Sequence, residues 1–222
     1  MSLGTLYIVP TPIGHLADLT FRAKEVLEKV DLIACEDTRH TGILLKHYQI
    51  STAKISFHSH SGQAKVDKMM AYLRQGSQVA LVSDAGTPGI SDPGYRLIQA
   101  ALYEGFQIIP LPGASACITA LSASGLPTDK FLYLGFPPAK KGRQSFFKQV
   151  ADSKYTVVFY ESPHRLKKTL QQLVEQVSES AHISIAKELT KIHETYYRGS
   201  IAEVMKSLPE KLKGEYVVMV HS

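Results

Sequence analysis

Short apolar runs alternate with longer stretches of helical spacing through the first half of the chain. Residues 6–9, 32–35, 55–57, 79–82 and 108–111 are apolar runs of strand length, broken only by Ser56, as expected of strands covered on both faces. Between them, Ala23, Val26, Leu27 and Val30 recur at helical intervals, as do Val66, Met69, Met70 and Leu73, so each crossover has one face to bury. This alternation predicts an α/β fold with a mainly parallel, doubly covered sheet. A helix is expected to begin at Asp92, with Asp92 as N-cap and Pro93 at its first position, and to stop near Gly105.

The pattern changes after Leu111-Pro112-Gly113, which places a domain junction at Pro112 and divides the chain into 1–112 and 113–222. Strands are expected at 131–135, 156–160, 183–187, 195–199 and 216–220, and Leu166, Leu170, Leu173, Val174 and Val177 form one helical face. The short link at Ile192-His193 implies antiparallel pairing of the strands around it, so this second sheet should be mixed. No internal repeat or low-complexity tract interrupts the chain.

Composition narrows the class. With 222 residues, 44% hydrophobic and 20% charged, the chain can bury a sizeable globular core. The apolar run at 6–9 is too short to span a membrane and has no basic segment before it, so neither a membrane anchor nor a secretory signal is expected. Cys35 and Cys117 stand far apart, which suggests buried thiols in a reducing, cytoplasmic compartment.

The net charge of +5 is unevenly spread. Residues 1–125 carry ten basic and ten acidic side chains, whereas 126–222 carry fifteen and ten. Within 130–168 there are nine basic residues against two acidic ones, a local +7, interleaved with Phe136, Phe146, Phe147 and Tyr155. That mixture suits a polyanion whose bases stack while its phosphates are neutralised; it equally suits a solvated helix face above core aromatics.

The segment with the most chemistry is Leu81 to Gly94, where an apolar strand runs into a turn rich in glycine and proline. Loops beyond the carboxyl ends of parallel strands are where small molecules bind, and glycine lets backbone approach a ligand. Ser83, Asp84 and Thr87 add hydrogen-bonding groups there; a ligand-free turn is the plainer alternative. Neither G-x-G-x-x-G nor G-x-x-x-x-G-K-[ST] occurs, so dinucleotide chemistry and nucleoside triphosphate hydrolysis lose support.

Further candidate groups end other strands. Glu36-Asp37-Thr38-Arg39-His40 follows the second strand, where Asp37 either caps the next helix or acts on a substrate, and Arg39 either pairs locally or binds an anion. Glu161-Ser162-Pro163-His164-Arg165 ends a strand and opens a helix, a setting that attracts anions. Lys187-Glu188-Leu189-Thr190-Lys191 ends another. His58 and His60 alternate, but no further ligand stands at supporting distance, so no metal is expected.

Taken in order, Thr11-Pro12-Ile13-Gly14, Asp18-Leu19-Thr20-Phe21-Arg22-Ala23, Cys35 to Gly42, Ser83-Asp84-Ala85-Gly86-Thr87-Pro88 and Ser91-Asp92-Pro93-Gly94 form a specific set. Leu111 to Ala114, Ser122 to Asp129, Tyr160 to Arg165 and Lys187 to Lys191 extend it over nearly the whole chain. The chain thereby resembles the family of ribosomal RNA small-subunit methyltransferase I enzymes, the RNA-modifying branch of the tetrapyrrole methylase superfamily. His15 and residues 58–62 depart from the pattern expected of that family.

The resemblance implies two α/β domains with S-adenosyl-L-methionine in the cleft between them. It also implies methyl transfer to the 2′-oxygen of a cytidine in the decoding region of small-subunit rRNA. Matching positions place the cofactor against Pro10, Ser83, Asp84, Ala85, Gly86, Thr87, Pro88, Ile90, Ser115, Ala116, Lys187 and Leu189. Asp37, Glu161 and Glu188 are candidates for assisting the acceptor hydroxyl, and Arg39, Lys140, Lys141, Arg143 and Arg165 for contacting RNA. Partners implied are small-subunit rRNA, free or assembled, and a second copy of the chain in a homodimer. A small helical domain after the last strand is typical of the family and is absent from these 222 residues. The alternatives are methylation of a tetrapyrrole or corrinoid precursor, which the same fold permits, and a non-catalytic RNA-binding module.

Overall fold

The expected strands occur within one or two residues of their predicted bounds. A computed structural model describes residues 4–58, 62–178 and 180–222, and the chain divides into two units, Met1–Ser115 and Ala116–Ser222. The first holds β1 (Thr5–Ile8), β2 (Leu32–Cys35), β3 (Lys54–Ser56), β4 (Gln78–Val82) and β5 (Gln107–Pro110), all parallel in the order β3-β2-β4-β1-β5. Its helices are α1 (Phe21–Lys29), α2 (Thr38–His47), α3 (Gln63–Arg74) and α4 (Tyr95–Tyr103).

Alternation along each strand sends side chains to two separate cores. Leu6, Ile8, Leu32, Ala34, Val79 and Leu81 pack with Val66, Met69, Met70 and Leu73 of α3 and with Leu97 and Ala101 of α4. Val9, Ile33, Cys35, Ala80 and Val82 pack on the opposite face with Ala23 and Leu27 of α1 and Leu44 and Leu45 of α2. The sheet is thus covered on both faces, and the two methionines are core filler. Cys35 and Cys117 are buried free thiols.

One start signal was misread. Helix α4 begins at Tyr95 rather than Asp92, and its N-cap position is Gly94, at a φ of 149° that a side chain rarely adopts. A β-carbon there would stand 3.0 Å from Leu81 Cδ2, so close packing on β4 sets the helix start. The Asp92 carboxyl lies beside Ser83, and no side chain caps the helix. Downstream, Gly105 (φ 74°) follows the end of α4 as expected.

The second unit holds β6 (Phe131–Tyr133), β7 (Thr156–Glu161), β8 (His182–Lys187), β9 (Thr195–Ser200) and β10 (Tyr216–His221) in the order β6-β7-β10-β8-β9. Only the β6–β7 pair is parallel, so the sheet is mixed, with β8 and β9 antiparallel across the Ile192 link. The helices are α5 (Ala116–Ser122), α6 (Arg143–Ala151), α7 (Pro163–Val174) and α8 (Ile201–Ser207), the last closed by a Ser200/Glu203 capping box.

Helix α6 decides between the two readings of the basic aromatic segment. Phe146, Phe147 and Val150 are buried against Phe159, Leu166 and Leu170 of β7 and α7, so these two phenylalanines are core and not stacking platforms. Phe136 and Tyr155 remain exposed, with Lys130 Nζ 5.7 Å above the Tyr155 ring. Among the described residues no helix is long and apolar enough to cross a membrane.

Candidate active site

The chain leaves β1 toward β2 on one side of the sheet and leaves β4 toward β5 on the other. The carboxyl ends of these neighbouring strands therefore flank a topological switch point, where open α/β sheets bind ligands. The loop after β4 is stitched to its surroundings there. Thr11 and Gly86 exchange two backbone hydrogen bonds of 2.9 Å, the Thr11 hydroxyl donates to Ser83 O at 3.0 Å, and the Ser83 hydroxyl donates to Gly86 O at 3.2 Å. The Thr87 hydroxyl donates to Ala114 O at 3.0 Å, and Gly113 lies so close to Pro10 that a β-carbon would meet its ring at 2.6 Å. Loops after β1, β4 and β5 thus form one rigid surface. Gly86 (φ 82°) turns it in a conformation that other residues reach only with strain.

Carboxylates converge beside this surface. Strand β2 pairs with β4 so that Cys35 lies opposite Val82, which brings Glu36 and Asp37 alongside Ser83 and Asp84. The Asp37 backbone N–H donates to Asp84 Oδ1 at 3.0 Å. Burial, then the negative charges of Glu36 and Asp84, push Asp92 from the ordinary 3.8 to about 6, against a hydrogen bond from Ser83. Burial and Asp84 also raise Glu36. These three carboxylates lack a compensating cation among the ion pairs of the described residues. Among those residues no group of three or more His, Cys, Asp or Glu side chains is arranged to hold a metal ion. His60 lies outside the described residues.

The three residues expected to assist the hydroxyl have different settings. Asp37 is the N-cap of α2: its carboxylate accepts from the Arg39 N–H at 2.7 Å and pairs with the Arg39 guanidinium at 2.9 Å, contacts that bring it down to about 2. Glu161, only 2% exposed, accepts from Ser162 N and Arg165 on one oxygen and from Thr169 on the other, with Arg143 Nη1 3.8 Å away. Glu188 (φ 52°) accepts from Lys191 Nζ and Glu215 N, each at 3.0 Å; these bonds outweigh burial and lower its pKa. Each carboxylate is thus engaged by donors of its own unit, which lowers the proton affinity of Asp37 and Glu188.

The expected RNA contacts also divide. Lys140 and Lys141 are exposed, and Arg39 is exposed but paired with Asp37. Arg143, 7% exposed, bonds Gln172, Thr169 and Pro138 O and lies over Phe147, so it is a buried strut and no phosphate ligand. Arg165 is half-buried between Glu161 and Pro137 O. Of the expected cofactor contacts, Pro10, Ser83 to Pro88, Ile90 and Ser115 belong to the first unit; in the second, Ala116 opens α5, Lys187 ends β8 and Leu189 follows it. Sequence reasoning missed Asp92 as a titrating group, because Asp-Pro ahead of an apolar stretch reads as a helix start.

Comparison with known proteins decides the family. The profile of the tetrapyrrole (corrin/porphyrin) methylases matches residues 5–205. The chain belongs to that family. Within it, the chain is 50% identical to ribosomal RNA small subunit methyltransferase I of Escherichia coli O157:H7, over 99% of this chain and 78% of the relative. It is 46% identical to the protein of that name from Synechocystis, over 98% and 79%. Tetrapyrrole methylase structures share the fold at low identity. Cobalt precorrin-4 methyltransferase, a cobalamin biosynthetic enzyme, superimposes with a TM-score of 0.71 at 17% identity, over 97% of this chain and 94% of that one. The methyltransferase CobJ gives 0.73 at 18%, over 100% and 95%. In this tetrapyrrole methylase the switch-point loop and its carboxylates lie within the matched region.

Proposed function

We propose that this chain transfers a methyl group from S-adenosyl-L-methionine to small-subunit ribosomal RNA, the acceptor being the 2′-oxygen of a cytidine in the decoding region. The acceptor class is supported by identities of 46–50% to proteins named ribosomal RNA small subunit methyltransferase I, along almost the whole chain. It is also supported by the exposed lysines of the basic segment. Such an acceptor puts the reaction in the cytoplasm, with the ribosome.

The observation that carries the cofactor is the excess of negative charge at the switch point. Burial and the charge of Asp84 raise Glu36, and burial with the charges of Glu36 and Asp84 raises Asp92, so a cation placed there is favoured and a phosphate is repelled. S-adenosylmethionine carries a sulfonium and an ammonium group; when bound it supplies an activated methyl group. Backbone of the Ser83 to Pro88 turn, opened by Gly86, and the wall of Pro10 and Ile90 suit its body. Asp37, Glu161 and Glu188 are held by donors, so the chain's own contribution is alignment of the acceptor rather than a strong base. In-line placement alone supplies several orders of magnitude in rate.

Calorimetric titration with S-adenosylmethionine tests the cofactor. One-site binding by the parent, weakened about tenfold by Asp84→Ala and lost in Gly86→Val, is the expected result. Equal affinity in all three chains would remove the loop from the site.

A further inference from the structure

We propose that Glu161 is the centre of a two-arginine clamp that presents residues 136–141 as a preformed contact for single-stranded RNA. This rests on the rRNA acceptor proposed above and assigns the face that meets it. The segment Phe136-Pro137-Pro138-Ala139-Lys140-Lys141 leaves the β6 edge and enters α6. Its two prolines have no N–H, so carbonyl oxygens are the backbone handles they offer. Both are held: Arg165 Nη1 donates to Pro137 O and Arg143 Nη1 to Pro138 O, each at 3.1 Å.

Both guanidinium groups converge on one buried carboxylate. Arg165 Nη2 meets Glu161 Oε1 at 2.8 Å. Arg143 Nη2 donates to the Thr169 hydroxyl at 2.6 Å, which donates to Glu161 Oε2 at 2.6 Å, and Arg143 Nε donates to Gln172 Oε1 at 2.7 Å. Burying two cations on one anion is costly unless every donor is met, and here part of the donor set is met by the loop itself. The loop's backbone is therefore fixed by β7, α6 and α7.

The fixed loop exposes an aromatic ring and two cations. Phe136 is 55% exposed and leans edge-on against Tyr160 at 5.4 Å, itself edge-on to Tyr133 at 5.3 Å. Lys140 and Lys141 are exposed and form no ion pair among the described residues. A propped aromatic ring beside unpaired ammonium groups fits a base to stack and phosphates to neutralise, the demands of an unpaired RNA strand. In this role Glu161 is a positioning residue that acts through Arg143 and Arg165.

The test measures small-subunit rRNA binding against salt, methyl-transfer kinetics, S-adenosylmethionine affinity and amide exchange. Phe136→Ala should weaken rRNA binding about 5- to 100-fold with an unchanged salt slope, and Phe136→Tyr should restore it. Lys140→Glu with Lys141→Glu should flatten the log–log salt slope by about 1.4. Arg165→Lys keeps a charge opposite Glu161 but cannot span carboxylate and carbonyl as a planar fork does. It should speed amide exchange over 139–142 and raise KM for rRNA more than it lowers kcat, with cofactor affinity and Tm held. A fall in Tm and kcat with unchanged loop exchange would reduce the clamp to scaffold. Unmoved affinity and slope in the Phe136 and lysine variants of a chain that methylates rRNA would overturn this proposal alone. A parent chain with no rRNA binding would overturn it together with the acceptor reading, as would capture of the lysine face by anionic phosphatidylglycerol vesicles in place of RNA.

Discussion

Replacing Asp92 with asparagine should stabilise the cofactor-free chain while weakening its grip on the cofactor. Asp92 is raised from 3.8 to about 6 by burial and by Glu36 and Asp84. A shift of about two pKa units corresponds to a ceiling of about 3 kcal/mol, and partial solvent access reduces it to about 1 kcal/mol. The unfolded chain ionises Asp92 above 3.8 whereas the folded chain resists until about 6, so folding is penalised increasingly across that window and fully above it. Asparagine escapes the penalty. Its advantage should be absent below pH 3.8, roughly half developed at pH 5 and complete above pH 7, where Tm should rise by about 2 to 4 °C. Thermal unfolding of both chains at pH 5 and pH 8 without cofactor reads the effect, and calorimetry at pH 8 should show S-adenosylmethionine binding about tenfold weaker in the variant. A variant less stable at pH 8, or equally stabilised at both pH values, would refute the reasoning that Asp92 is a strained anion awaiting a cation.

Four further outcomes follow from the same geometry. Because Asp92 gains its charge near pH 6, cofactor affinity in the parent should fall as pH drops through 6, checked by titrations at pH 5 and 7.5; a flat profile would detach Asp92 from the ligand. Glu161→Ala strands two guanidinium groups and should cost about 3 to 5 kcal/mol in urea unfolding, and a loss below about 1 kcal/mol would contradict the clamp. Asp37→Asn keeps an N-cap acceptor for α2 and should preserve both stability and most of kcat, while a collapse of kcat at unchanged stability would make Asp37 the proton acceptor. Reversing Lys140 and Lys141 to glutamate should weaken rRNA binding and leave cofactor binding intact; parallel loss of both would sink the assignment.

Both sheets were legible in the sequence because most of their strands are short apolar runs separated by punctuated turns, the polar edge strands β3 and β9 being the exceptions. The switch-point loop was legible for a similar reason, since Gly86 and the neighbouring prolines announce a turn locally. Helix α6 is obscured in the sequence because Arg143, Phe146, Phe147 and Val150, although at helical spacing, stand in a segment whose charge and aromatic content equally suit a polyanion. Only the tertiary fold shows Arg143 spent inside the protein on Glu161, Thr169 and Pro138. The carboxylate cluster was equally hidden: Glu36 follows β2 while Asp84 and Asp92 lie in the loop after β4, and the two stretches meet through the pairing of β2 with β4. Glu161 drew attention as a strand-end carboxylate, yet nothing in its neighbours announces that every oxygen is already occupied.

The central claim is tested most directly by incubating the chain with S-adenosylmethionine carrying a labelled methyl group and small ribosomal subunits, then digesting the RNA to nucleosides. Label recovered in 2′-O-methylcytidine, and lost with Gly86→Val, is what the switch-point site and the clamped basic loop together predict. Label absent from RNA but transferred to a tetrapyrrole precursor supplied in parallel would contradict it.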